Sequence, residues 1–522
     1  MATSQIIYGG LSANTFSATT IYLGNNQLSS NTTFTGGTVT GSTTFTNGLT
    51  SNTFSATTIS GISFNGLDLG LGAGSIATNI AIGPGTLYSN TTGLSNVALG
   101  NSALYSNTTG NYNVAIGGNA LLNNTTGNNN IAQGFGSLQE NTIGQNNVAL
   151  GQRALNANTS GSNNIAQGYR ALYSNITGES NVAIGPNTLN QNTTGTENVA
   201  LGNSSLQNNT TGYNNVAIGR STLVNNSVGN RNIALGDQSL QSNTSGSHNI
   251  AQGYKALYSN TTGNYNVAQG FQSLFSNIYG TNNIALGNSA LRKNTYGSNN
   301  IALGQNTLFE NTTGNYNVAL GLQALTSNTT GNNNIALGRE ALRYNTTGNY
   351  NVAIGDSALE LNTTGYNNVA IGPFVLEGNT TGNGNVALGN QALRLNTTGI
   401  NNIAQGFKAL YLNTTGNQNV AIGLQALYSN TYGNHNVAIG PGALETNTTG
   451  GYNVALGIGV SSGNYSGSLI LGAFSTATAN GQLALGSSTK PLGPVATETL
   501  TSNRTLEINL NGNLYKMMLY KA

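Results

Sequence analysis

The side chains able to do chemistry in this chain are mostly amides and hydroxyls, set at fixed intervals. Asn-Thr-Thr-Gly, as at 107–110, is followed three residues on by a second Asn, as at Asn113, and the unit returns down the chain. Amides at constant spacing can stack into ladders, each bonding its neighbours or capping its own turn. Asn90, Asn107 and Asn124 stand in one such column, and Asn96, Asn113 and Asn130 in the other. Proton transfer or nucleophilic attack needs other groups brought together. The two His, 248 and 435, lie far apart in the chain, no Ser/His/Asp grouping occurs, and no carboxylate returns as a paired column. No Gly-x-x-x-x-Gly-Lys-Ser/Thr phosphate loop is present, and the repeats lack the Asp pattern of calcium-binding nonapeptides. The expectation is a non-enzyme with no cofactor and no metal.

Three further features could carry recognition. Gln stands at 133, 167, 252, 269 and 405, each followed two positions later by a ring: Gln133 with Phe135, Gln167 with Tyr169, Gln252 with Tyr254, Gln269 with Phe271, and Gln405 with Phe407. An amide that needs a covering ring points to a restricted space, inside the coil or between chains. On that view Gln133→Leu costs little and Phe135→Ala costs more. Tyr112, Tyr213, Tyr265, Tyr316, Tyr350 and Tyr366 are candidates for a distributed glycan-binding surface. Regular Thr-Thr pairs could order water as ice-binding solenoids do, but Ile143, Ser160, Ile176, Val228, Ile278 and Tyr279 interrupt them. A Thr-rich turn before Gly is the simpler account.

The elements that position these residues follow from their period. The glycine closing each Asn-Val/Ile-Ala-Leu/Ile/Gln-Gly motif falls at 83, 100, 117 and onward to 457; since (457 − 83)/17 = 22, there are 23 of them at a spacing of 17. With that glycine as position one, the consensus is Gly-x-x-Ala-Leu-x-x-Asn-Thr-Thr-Gly-x-x-Asn-Val-Ala-Leu. A short fixed period marks a solenoid whose units bury their apolar face only by stacking. Seventeen residues are too few for a helical repeat, so the unit predicts an all-β fold: a parallel β-solenoid whose coil holds two brief strands and two turns. At strand spacing, 23 coils make a rod of roughly 110 Å. Charges in the array sit at positions two, three, six, seven, twelve and thirteen, so those columns should face solvent.

Charged residues are only 5% of the 522, and the formal charge of +2 gives no footprint for nucleic acid or an anionic surface. There is no Cys and no apolar run long enough for a membrane helix. The organisation expected is a β-rich attachment segment at 1–78, the array at 79–457, shorter coils at 458–490 and a hairpin cap at 491–522. Asn14–Ile21 returns as Asn52–Ile59 in the first segment, and Asn511-Gly512 suits the hairpin turn of the last. The basic and apolar regions of a secretory signal are not legible at the start, which predicts synthesis in a cytoplasm without membrane insertion.

Asn-Val-Ala-Ile-Gly, at 113–117 and 181–185, resembles the head repeats of YadA-like trimeric adhesins. With Ala-Leu-x-x-Asn-Thr-Thr-Gly between the motifs, residues 79 to about 486 resemble more closely the repeats of bacteriophage tail and receptor-binding fibres. The resemblance implies a left-handed β-roll and a homotrimer packed around a central axis. It further implies a virion fibre made in the host cytoplasm, docked through its N-terminal segment on a baseplate, tail or capsid protein, and meeting a host surface glycan or protein. The other expectation is an extracellular, cell-surface adhesin or filament subunit of a bacterium or archaeon.

Overall fold

A computed structural model describes residues 67–486 continuously, together with 15–16, 38–39, 62–64, 505–510 and 513–518. The chain divides into two units, Met1–Ile59 and Ser60–Ala522. In the first, Thr15–Phe16 pairs in parallel with Thr38–Val39. The rest of this unit, including most of the Asn14/Asn52 duplication, lies outside the described residues.

The second unit holds a parallel β-solenoid of 17-residue coils. Each coil contributes one three-residue strand at positions fifteen to seventeen, from Ile80–Ile82 to Val454–Leu456. Strands pair with the same position of the next coil, as in Val114↔Ile131, Ala115↔Ala132 and Ile116↔Gln133. No pairing joins the last strand to the first among the described residues, so the ladder is open and not a closed barrel.

The expected second strand is not there. The Ala-Leu pair forms a stacked turn, because Leu at position five takes a left-handed backbone, with φ of 52° at Leu104 and 51° at Leu121. Such a conformation costs about 1–2 kcal/mol for a residue with a side chain. Complete burial of each Leu offsets it at about 2 kcal/mol. Hydrogen bonds between coils continue through the turn, with Leu104 N donating to Ala120 O at 3.0 Å and Ser106 N to Leu122 O at 2.9 Å.

Six columns are buried: positions four, five, eight, eleven, fourteen and sixteen. The interior is therefore Leu and Ala on one side and Asn and Gly on the other. Position one is glycine for two reasons together. Gly117 has φ of +128°, and a Cβ there would stand 2.8 Å from the Gly134 carbonyl carbon.

Both ends of the ladder differ from its middle. At the start, Ile62–Phe64 and Leu67–Gly70 form an antiparallel pair, and the second strand pairs antiparallel with the first coil, Leu69↔Ile82. The hydrogen-bonded array thus begins at Ile62, before the boundary expected at 78, and residues 67–73 cover an edge that would otherwise be open. At the other end the coils shorten. A full coil takes Val437 to Val454, but Val454 then pairs with Leu469 and Leu469 with Leu483. The 457–471 coil carries Ser461 where other coils have Leu, while Val460 and Ile470 stand where Ala is usual and are both buried. Thr505–Leu510 and Asn513–Met518 pair antiparallel with Leu510↔Asn513 in register. The Asn511-Gly512 turn between them lies outside the described residues.

Candidate interaction surfaces

The constant spacing of the two Asn columns resolves into one network centred on the glycine at position eleven. Asn107 Nδ2 donates to Asn90 Oδ1 of the preceding coil at 2.9 Å and to Gly110 O of its own coil at 3.1 Å. Its own Oδ1 accepts from Asn124 Nδ2 at 2.8 Å. In the other column Asn96 Nδ2 donates to the same Gly110 O at 2.9 Å, while Asn96 Oδ1 accepts from Asn113 N at 2.9 Å and Asn113 Nδ2 at 3.2 Å. Asn130 repeats the step on Asn113 Oδ1. One carbonyl thus uses both lone pairs to tie two ladders together.

The network also explains the glycine. Its φ is unexceptional, but a Cβ on Gly110 would lie 2.4 Å from Asn107 Oδ1 and 2.5 Å from Gly127 O. The ladders close with Ser: Ser462 Oγ donates to Asn447 Oδ1 at 3.0 Å and Ser468 N to Asn453 Oδ1 at 3.0 Å. Both Asn columns are scaffold, with no amide free for a ligand. Thr at position nine is committed as well, since Thr108 Oγ1 donates to Thr125 O at 3.0 Å.

Recognition must therefore use outward columns, of which the strand face is the largest. In Val-Ala-Leu only Ala points inward. Positions fifteen and seventeen stand on the outer side, with Ile131 41%, Ile218 40% and Leu320 38% exposed. The result is an aliphatic stripe, broken by Gln at five levels of position seventeen, with no other described element of this chain paired on its outer side.

Gln133, Gln167, Gln252, Gln269 and Gln405 stand on this stripe, all exposed. Of the two spaces expected for them, the coil interior is ruled out, because strand alternation reserves it for position sixteen. Their partner rings are also outward. Phe135 is 51% exposed and its ring lies on Gly118, where a Cβ would meet Cδ2 at 3.3 Å.

Sequence reasoning stopped at the pair and missed the rest of the arrangement. A cation at position three sits between the ring at two and a second ring at six. Arg170 lies 5.3 Å from both Tyr169 and Tyr173. Lys255 lies 5.2 Å from Tyr254 and 5.4 Å from Tyr258, and Lys408 lies 5.2 Å from Phe407 and 5.4 Å from Tyr411. Gln-Gly-aromatic-cation-Ala-Leu-Tyr is legible in these three repeats once columns are read together. Tyr254 and Phe271 stack, with centroids 5.5 Å apart.

The six candidate tyrosines are exposed: Tyr112, Tyr265, Tyr316 and Tyr350 at position thirteen, Tyr213 and Tyr366 at twelve. Position thirteen has a left-handed backbone, φ 57° at Tyr112, which places the ring at a corner. The structure does not gather the six into one site. Tyr265 stacks on His248 at 4.8 Å, and Arg231 lies 5.5 Å from the Tyr213 ring. Charged columns pair between neighbouring coils: Arg220 with Asp237 at 2.9 Å, Lys293 with Glu310 at 2.7 Å, Arg339 with Asp356 at 3.0 Å, and Arg394 with Glu377. Hydrogen bonding to these carboxylates raises the Arg220, Arg339 and Arg394 guanidinium pKa above its ordinary value. Such exposed pairs contribute little to stability.

Among the described residues no cluster of three or more His, Cys, Asp or Glu could hold a metal ion, and no helix is long and apolar enough to cross a membrane. Compared with known protein families, curated proteins and solved structures, the chain matches none.

Proposed function

We propose that this chain is a structural fibre or spike subunit of a bacteriophage virion, assembled as a homotrimer and serving host attachment. The observation that carries the reading is the aliphatic stripe on positions fifteen and seventeen. One strand width over 23 coils amounts to roughly 1,000 Å², comparable with the ~800 Å² per partner of a stable interface. An apolar patch of that extent on a lone chain marks an association surface. Three identical chains, each a left-handed roll, would place their stripes around one axis and leave the charged and tyrosine-bearing columns outside.

The resemblance of the repeats to phage fibres supports the virion assignment over a cell-surface adhesin. In this arrangement the N-terminal segment docks on a baseplate, tail or capsid protein, and the exposed tyrosines or the far end of the rod meet a host glycan or protein. Light scattering of the full-length protein should give three times the chain mass, and electron microscopy should show straight rods at least roughly 110 Å long. A monomer at micromolar concentration overturns the assembly. Antibody labelling that finds the protein on a cell envelope and not on phage particles overturns the virion assignment.

A further inference from the structure

Near-identical coils create a problem for assembly along the stripe. Outward positions recur once per coil from Ile80–Ile82 to Val454–Leu456. Two copies that slide by one coil still face each other at 22 of the 23 levels, one being lost at the end. Aliphatic contacts are not directional and do little to oppose the slip. Some feature of the stripe has to make levels different.

The five Gln do so. Successive Gln levels are separated by two, five, one and eight coils. In register, all five levels meet their own kind. A slip of one coil aligns only Gln252 with Gln269, and every other slip aligns at most one pair, save eight coils, which aligns Gln133 with Gln269 and Gln269 with Gln405. We infer that these five levels set the axial register of this chain against further copies of itself on the outward strand face. A Gln facing Gln pairs its amide across the interface; a Gln facing Leu or Ile is buried without a partner. A single polar residue in an apolar seam fixes register in coiled coils by the same asymmetry.

The ring at position two is the second observation. A Gln in water needs no cover, so its coupling to a ring is unexplained in the lone chain, where both are exposed. On a covered stripe the ring closes the edge beside the amide and excludes water, leaving the partner's amide as the available hydrogen-bonding group. Arg170, Lys255 and Lys408 hold three of those rings in place.

This inference rests on the assembly proposed above, and the experiment separates the two. The chain has no Cys, so Leu320→Cys and Ile354→Cys, two coils apart on the stripe, report levels without background. At about 9.6 Å of axial offset they cannot form a disulfide in register. Chains carrying one or the other are co-assembled, oxidised and analysed by mass. With the native Gln set, mixed links should stay below about a tenth of like-with-like links. Changing all five Gln to Leu should raise the mixed fraction at least fivefold, while the Gln→Asn set, which keeps an amide at each level, should not. A Gln→Ala set replaces the Leu set if the latter precipitates. Trimers that remain in register without the five amides overturn the inference and leave the assembly standing; a native chain that is monomeric by light scattering overturns both.

Discussion

The two sides of each strand invert the usual distribution of bulk. In Val114–Ile116 the inward residue is Ala115, fully buried, while the larger Val114 and Ile116 stand outward and partly exposed. The opposite wall explains the choice. Leu121 from the turn and the amides of Asn107 and Asn113 already fill the coil, and only a methyl fits beneath the strand. The interior is held by a closed hydrogen-bonded network plus one Leu per coil, and the aliphatic surface that an ordinary sheet would bury within its own chain is left on the outside.

Changes inside and outside should therefore fail differently. A stacked array need not unfold in one step, so local opening by hydrogen exchange is the appropriate measurement. Gly110→Ala should have the largest effect, roughly 4 kcal/mol or more, because its Cβ collides with both an amide and a carbonyl that cannot move independently. Wild-type protection around this coil would refute the steric account. Leu121→Ala should cost about 3 kcal/mol as a cavity in a narrow core.

Asn107→Asp keeps the shape but removes the donor pair, leaving a buried carboxyl facing Asn90 Oδ1 and Gly110 O. Opposed by two acceptors, that carboxyl would have a folded pKa above its unfolded one. The variant should therefore be most stable below the unfolded value, near pH 4 or lower, and lose stability as pH rises toward the folded value, by about 2 kcal/mol at neutrality. A pH-independent deficit would contradict this wiring.

Outside, Leu320→Ser should change local opening of the single chain by less than about 0.5 kcal/mol while weakening association. If it destabilises the coil as much as Leu121→Ala does, the contrast between the two faces fails. The smallest effect belongs to Gln133→Leu and Phe135→Ala in the unassociated chain. Both are exposed, so the larger cost expected of the ring should emerge only on association.

The period, the coil as unit and the two Asn columns were legible because a residue that must meet its own copy in the next coil cannot vary. Strand count was not, since Ala-Leu has the pattern of a strand and only the left-handed Leu backbone, stabilised by stacking, makes it a turn. The Gln and ring pairing was visible, but whether position seventeen faced in or out depended on the parity of a three-residue strand. The cation between two rings lies within one short run, as in Tyr169-Arg170-Ala171-Leu172-Tyr173, and was missed because only the turn geometry shows that the cation reaches both rings. The N-terminal cover at Leu67–Gly70 was missed because it pairs antiparallel and shares no repeat motif.

Pairing of each position with the same position in the next coil also bears on inheritance. Removing or adding one whole coil leaves every remaining bond type intact, so rod length can change by unequal recombination between repeats without a new fold having to evolve. All copies read from one gene change together and keep a common pattern of Gln levels. On the assembly proposed above, chains that differ by a coil between Gln133 and Gln405 would not share it, so such subunits of mixed parentage should sort into assemblies of uniform ancestry.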